Sequence, residues 1–171
     1  IGGNGGEDAG TIHIQGGTVI AKMTNSSSMG AAIGASVGKS VEEIRISGGT
    51  VTAETTSNGA GIGTGSATKD RTGKIVIEGG TVNASSGSGA GIGSGSGYAA
   101  GSPAIIAEIE IHGGMITAYS YSGACIGSGR DSSSKVLIDG GTICLDNKGV
   151  QSRDAAHIGK GRRVLQRHQP M

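Results

Sequence analysis

One phrase is written five times along this chain: two alternating aliphatic residues, a double glycine, then Thr-Val-x-Ala or a close variant. It reads TIHIQGGTVIA from Thr11, IRISGGTVTA from Ile44, IVIEGGTVNA from Ile75, IEIHGGMITA from Ile109 and VLIDGGTICL from Val136. The glycine pairs begin at Gly16, Gly48, Gly79, Gly113 and Gly140, at intervals of 32, 31, 34 and 27 residues. A period near thirty with apolar alternation marks a solenoid, because one repeat cannot bury its apolar face except against the next. Between the copies runs a second phrase, GAAIGAS from Gly30, GAGIGTG from Gly59, GAGIGSG from Gly89, GACIGSG from Gly123 and AAHIGKG from Ala155. Ile1-Gly2 reads as the tail of one more copy, so the sequence is expected to begin inside a repeat.

Period two on each side of the glycine pair predicts two short strands, each with one buried face. The inward residues are Ile12/Ile14, Ile44/Ile46, Ile75/Ile77, Ile109/Ile111 and Val136/Ile138 before the pair. After it they are Val19/Ala21, Val51/Ala53, Val82/Ala84, Ile116/Ala118 and Ile143/Leu145. The glycines allow a sharp bend, and the GAGIG phrase supplies a third strand carrying Ala60/Ile62 or Ala90/Ile92 inward. The prediction is an all-β chain, a parallel β-helix of about five coils of roughly 30 residues. Stacked at the spacing of strands in a sheet, the coils form a rod of about 25 Å.

Residues 1–161 form the solenoid domain and 162–171 a basic tail or cap. Composition agrees: 36 glycines without collagen's strict spacing, two prolines, no Trp or Phe and three Tyr. These exclude an aromatic globular core and leave a narrow core of Ile, Val and Ala. The length differences fall in loops, from KMTNSSSM at Lys22 and SATKDRTGK at Ser66 to SGYAAGSPAIIAE at Ser96 and DNKGVQSRD at Asp146.

ISGGTVTA and GAGIGTG resemble the glycine-rich β-solenoid repeats of large cell-surface and adhesin-like proteins of Gram-positive gut bacteria. The likeness covers about Ile1 to Gly161. It implies an extracellular or cell-surface module that serves as a stalk or contacts carbohydrate. Met115 in place of the repeat threonine, and Cys125 and His157 in place of glycine, depart from the pattern in the last two coils.

The formal net charge of +1 gives no reason to expect a nucleic-acid partner, and no apolar run is long enough to insert in a membrane. Arg153, Lys160, Arg162, Arg163 and Arg167 read as a solvated basic end. Cys125 and Cys144 have no metal-ligand spacing; both read as incidental. Exposed solenoid ends are prone to pair with another chain, so end-to-end or homo-oligomeric contacts are expected where caps are lacking.

Outward residues stack into columns, which sets candidate sites. The column before the glycine pair reads Gln15, Ser47, Glu78, His112, Asp139; the one two residues earlier reads His13, Arg45, Val76, Glu110, Leu137. They place Glu78, Glu110, His112 and Asp139 on one face. Glu78 and Asp139 lie two rungs apart, about 9.6 Å at the usual strand spacing. This is the upper edge of an inverting glycosidase pair, with His112 between them able to donate to either. The competing reading is a solvated face whose charges offset one another. Tyr119 and Tyr121, read as one loop beside this face, are the candidate sugar platform, with Tyr98 the third aromatic.

The non-catalytic structural or adhesive reading, with a glycan as ligand class, is preferred. A polysaccharide-active β-helix enzyme using Glu78, His112 and Asp139 is the alternative. A lesser alternative is ice binding by the column Thr18, Thr50, Thr81, Met115, Thr142 with Ile20, Thr52, Asn83, Thr117 and Cys144 beside it. No cofactor is expected; IGGNGGED, with Glu7 and Asp8, matches a calcium loop only once. GAGIGTG and GAGIGSG mimic dinucleotide loops but lack the helix that would meet a phosphate.

Overall fold

In a computed structural model, residues 1–5, 7–25, 27, 29–66, 72–97, 106–146 and 156–161 are described. The candidate Tyr98, the basic residues Arg153, Arg162, Arg163 and Arg167, and the 162–171 tail lie outside them. The first coil contains β1 (Ala9–Ile14), β2 (Thr18–Met23) and β3 (Ile33–Gly34), the second β4 (Val41–Ile46), β5 (Thr50–Thr55) and β6 (Ile62–Gly63). The third contains β7 (Thr72–Ile77), β8 (Thr81–Ser86) and β9 (Ile92–Ser94). The fourth is β10 (Ile106–Ile111), β11 (Met115–Ser120) and β12 (Ile126–Ser128), and the fifth β13 (Ser133–Ile138), β14 (Thr142–Leu145) and β15 (Ile158–Gly159).

Each coil gives one strand to each of three five-stranded sheets, ordered β1-β4-β7-β10-β13, β2-β5-β8-β11-β14 and β3-β6-β9-β12-β15. Every pairing is parallel, and equivalent repeat residues are partners: Ile44 with Ile75, Val51 with Val82, Ile62 with Ile92. The register holds through the last two coils, where Met115 pairs with Thr142 and Ile126 with Ile158. The departures at Met115, Cys125 and His157 therefore leave the stacking intact.

The inward aliphatic residues form one continuous core. Ile44, Ile46, Ile75, Ile77, Ile109, Ile111 and Ile116 are fully buried. In the end coils Ile12, Val19, Val136, Ile138, Ile143 and Leu145 are only partly buried against this core. The third sheet uses two or three residues per strand because its glycines take the space of side chains. Gly63 has φ +137°, and a Cβ there would sit 1.8 Å from the carbonyl oxygen of Gly93. No residue but glycine fits so close an approach of two coils.

The bend between the first two sheets is hydrogen-bonded from coil to coil as well. On its two sides the Glu78 and His112 amides donate to the Ile46 and Ile77 carbonyls, and the Thr81 and Met115 amides to those of Gly49 and Gly80, each at 2.8 Å. The corner is thus locked, and the outward columns on either side of it are fixed relative to one another.

Buried hydroxyls lie beyond what the repeat phrases indicate. Seven residues after the first glycine of the second, third and fourth pairs, Thr55, Ser86 and Ser120 point inward and are buried. Ser86 Oγ donates to the Gly59 carbonyl and Ser120 Oγ to that of Gly89, both at 2.7 Å. They satisfy carbonyls of the preceding coil's turn that would otherwise be buried without a donor.

Candidate functional site: a charged face and an uncharged face

The outer face of the first sheet carries three columns. The order of the column three residues before each glycine pair is confirmed by the pairing of His13 with Arg45, Arg45 with Val76, Val76 with Glu110 and Glu110 with Leu137. Coil-to-coil bonds from the Ser47, Glu78, His112 and Asp139 amides order the column next to the pair. A further outward column, five residues before each glycine pair, alternates in sign through Glu43, Lys74, Glu108 and Lys135.

The candidate acids are tied into two networks. Arg45 Nε donates to Glu43 Oε1 at 2.9 Å, and its Nη1 donates to Glu78 Oε1 in the next coil. Lys74 Nζ lies 3.0 Å from Glu110 Oε1, while His112 Nδ1 lies 2.7 Å from Asp139 Oδ1 and His112 Nε2 3.6 Å from Glu110 Oε2. His112 thus pairs with Asp139 in the fifth coil and Glu110 on its own strand, while Glu78 is held by Arg45. The structure brings Glu110, His112 and Asp139 together and leaves Glu78 in a separate network.

These contacts set the protonation behaviour. The hydrogen bond to Asp139 first, and then its charge and that of Glu110, raise the pKa of His112 against a smaller opposing desolvation. The hydrogen bond from Lys74, with smaller help from His112, holds Glu110 below the usual carboxylate range. Arg45 and Lys74 are raised, each first by its hydrogen bond to a glutamate, Glu43 and Glu110 respectively.

Val76 belongs to an outward column yet is only 2% exposed. It sits between Arg45 and Glu110 across the sheet and between Lys74 and Glu78 along its own strand, so the two ion-pair networks flank it. Long charged side chains bury their aliphatic stems over an apolar neighbour while keeping their heads wet.

The aromatic pair lies elsewhere. Tyr119 is a strand residue of β11 rather than part of a loop, and Tyr121 follows that strand. Tyr119 belongs to the far outward column of the second sheet, beside Ser85, and is about 13 Å along the strand beyond Met115. The expected loop beside the acidic face is therefore corrected. The alternation after the glycine pair runs two residues further than the apolar pattern shows, because the inward position there is Ser120 instead of an aliphatic residue. Burial is the largest cause of a raised Tyr119 pKa, with Tyr121, Asp146 and Cys125 adding to it.

The second sheet's outer face differs in kind. Thr18, Thr50, Thr81, Met115 and Thr142 form one column, and Ile20, Thr52, Asn83, Thr117 and Cys144 the next. None of these ten residues is charged. Only the third column carries charge, including Lys22 and Glu54 paired at 2.9 Å.

Asp8 Oδ1 accepts the Ser40 amide at 2.8 Å, tying the first coil to the second. Cys125 is buried and Cys144 exposed, and neither is in a disulfide among the described residues. The GAGIG phrases form the short third-sheet strands, and no helix occurs among the described residues. A cavity of about 400 Å³, lined in part by Ile1, Met23, Met29 and Val37, opens at the N-terminal end and does not touch the charged face.

Arg45 and Lys74 are the residues that sequence reasoning passed over as partners. The signal lies on the diagonal of the register: Glu78 and Glu110 each stand one coil on and two residues along from Arg45 and Lys74, within reach of a long side chain.

Comparison with known families gives a match to the beta helix repeat at residues 12–37, 44–66, 75–96 and 109–130, together more than half of the chain. The chain belongs to the beta helix repeat family. Each matched segment starts at an inward aliphatic residue of the first sheet and ends just past the third-sheet strand, so it follows one coil. Searches of curated proteins and of solved structures returned no match.

Proposed function

We propose that this beta helix repeat chain is a non-catalytic structural and adhesive module of a bacterial surface protein, with carbohydrate as its ligand class. The observation that carries the reading is the commitment of the acidic side chains. Glu78 is bonded to Arg45, Glu110 to Lys74, and Asp139 to His112. A glycosidase acid needs a carboxyl held protonated by a poorly solvated pocket. Glu110 is shifted the opposite way, and Glu78 and Asp139 stand on an open sheet face, each about half exposed.

Such a face suits a rod whose charges offset one another along its length. Adhesion then falls to surfaces that keep unspent hydrogen-bonding capacity. The test is a glycan array probed with and without calcium, alongside a polysaccharide turnover assay. Binding without turnover is the expected result. Turnover that disappears in Glu78→Gln and Asp139→Asn would overturn the non-catalytic reading, and an array with no binding above background would overturn the adhesive one.

A further inference from the structure

The two outer faces spend their polar groups differently. On the first sheet, carboxylates, guanidinium, ammonium and imidazole bond one another. On the second, the hydroxyls of Thr18, Thr50, Thr52, Thr81, Thr117 and Thr142 and the amide of Asn83 make no side-chain hydrogen bond among the described residues. Seven hydrogen-bonding side chains are left to solvent on one uncharged surface.

Their arrangement is regular. Cross-coil neighbours in a column are one strand spacing apart, about 4.8 Å, and the two columns lie about 6.7 Å apart along the strands. The register fixes Thr50 beside Thr81, and Thr52 and Thr117 on either side of Asn83. The backbone bonds at the neighbouring corner hold each column in line. Ile20 and Met115, 64% and 57% exposed, place apolar surface within the same two columns.

We infer that this face is the carbohydrate site, and that its ligand is an uncharged, extended polysaccharide laid along the rod axis. The inference rests on the adhesive reading above and names the surface and the substrate class. These two columns supply no cation to draw an anionic polymer, whereas their hydroxyls and amide are both donors and acceptors, as sugar hydroxyls are. An extended chain of β-linked pyranoses advances ring by ring at a step comparable to one coil, with successive rings turned over so that each presents a hydroxyl-bearing edge. It can therefore meet successive threonines in a column while the C–H faces of its rings rest on Ile20 and Met115. Tyr119 and Tyr121 flank the far edge of this face, where an aromatic ring can stack on a sugar. Preorganisation matters here: the groups are already fixed by the sheet, so little ordering entropy is lost on binding.

The experiment measures retention on microcrystalline cellulose, with soluble polygalacturonate as an anionic control. Wild type is compared with a quadruple variant, Thr50→Val, Thr52→Val, Thr81→Val and Thr117→Val, and with the same four positions changed to Ser. Valine is isosteric and favours strands, so the coil should persist; circular dichroism and melting verify this. The expected result is retention of wild type on cellulose, none on polygalacturonate, and at least about a tenfold loss of affinity in the valine variant, or 1.4 kcal/mol. The serine variant should retain binding. Undiminished binding by a folded valine variant would overturn the assignment. Loss instead in Glu78→Gln or Asp139→Asn would move the ligand to the first sheet and leave the adhesive reading standing. Failure to bind cellulose, with binding only to charged or branched glycans on an array, would reject this ligand class alone. Thermal hysteresis without polysaccharide binding would overturn it in favour of a water lattice.

Discussion

Gly63 and Gly16 look alike in the sequence and differ in what surrounds them. At Gly63 a methyl group would lie 1.8 Å from the carbonyl oxygen of the next coil, in a backbone with φ +137°. At Gly16 nothing lies within 4 Å and the backbone is not left-handed. Gly63→Ala should therefore cost about 3 kcal/mol or more, combining strain with a clash that backbone must move to relieve. Gly16→Ala should stay within about 0.5 kcal/mol of wild type. Urea unfolding of the two variants checks the pair, and equal midpoints would show that the close approach at Gly63 does not exist in solution. The sequence marked both as repeat glycines; only the neighbouring coil tells a spacer from a bend. The same limit hid the roles of Arg45 and Lys74. Their partners Glu78 and Glu110 are 33 and 36 residues away in sequence and become adjacent only when coils stack.

Between elements, the pair most open to solution test is β10 and β13, joined by His112 and Asp139 across the outer face. The pKa of His112 is raised on folding, so its contribution is fully present below its ordinary value of 6.5 and is lost as pH rises through the folded value. Glu110 is lowered, so its contribution is present above its ordinary 4.5 and is lost as pH falls through the folded value. Both are in place between about 4.5 and 6.5, so the contacts of the fourth coil with its neighbours, through Glu110 to the third and through His112 to the fifth, should be firmest there. These groups are exposed, so the effect is small and should shrink further in high salt. Urea midpoints measured across pH for wild type and His112→Gln check it. The wild type should lose midpoint above pH 6.5 relative to the variant, and parallel curves would contradict the clamp. The columns that bring these residues together were legible from the double-glycine spacing, because register in a solenoid follows the repeat. The choice of His112 for Asp139 over Glu78 was not, since it depends on Arg45 having taken Glu78 first.

Across the whole molecule, the equivalence of the coils makes their differences in burial informative. Ile44, Ile75 and Ile109 occupy the same position in three successive coils and are fully buried, whereas Ile12 before them and Val136 after them are partly open. The second strand behaves alike: Val51, Val82 and Ile116 are fully buried, Val19 and Ile143 are not. Chemically similar residues thus differ in protection only by whether a coil covers them on both sides. In a solenoid, stability is close to a sum of coil terms and nearest-neighbour interfaces, so a coil with one covered side opens at lower free energy than one with two. In the 171-residue chain taken by itself, hydrogen exchange should therefore grade along the rod. Amides of β4, β5, β7, β8, β10 and β11 should be the slowest, and those of β1, β2, β13 and β14 faster, with the outermost edges first. Peptide-resolved exchange by mass spectrometry measures this directly. A graded profile means that the ends fray while the middle coils hold, so a ligand spanning the threonine columns of several coils would slow exchange most at the ends it reaches. Uniform protection from β1 to β14 would mean that the five coils open only together, and the nearest-neighbour account of this rod would fail.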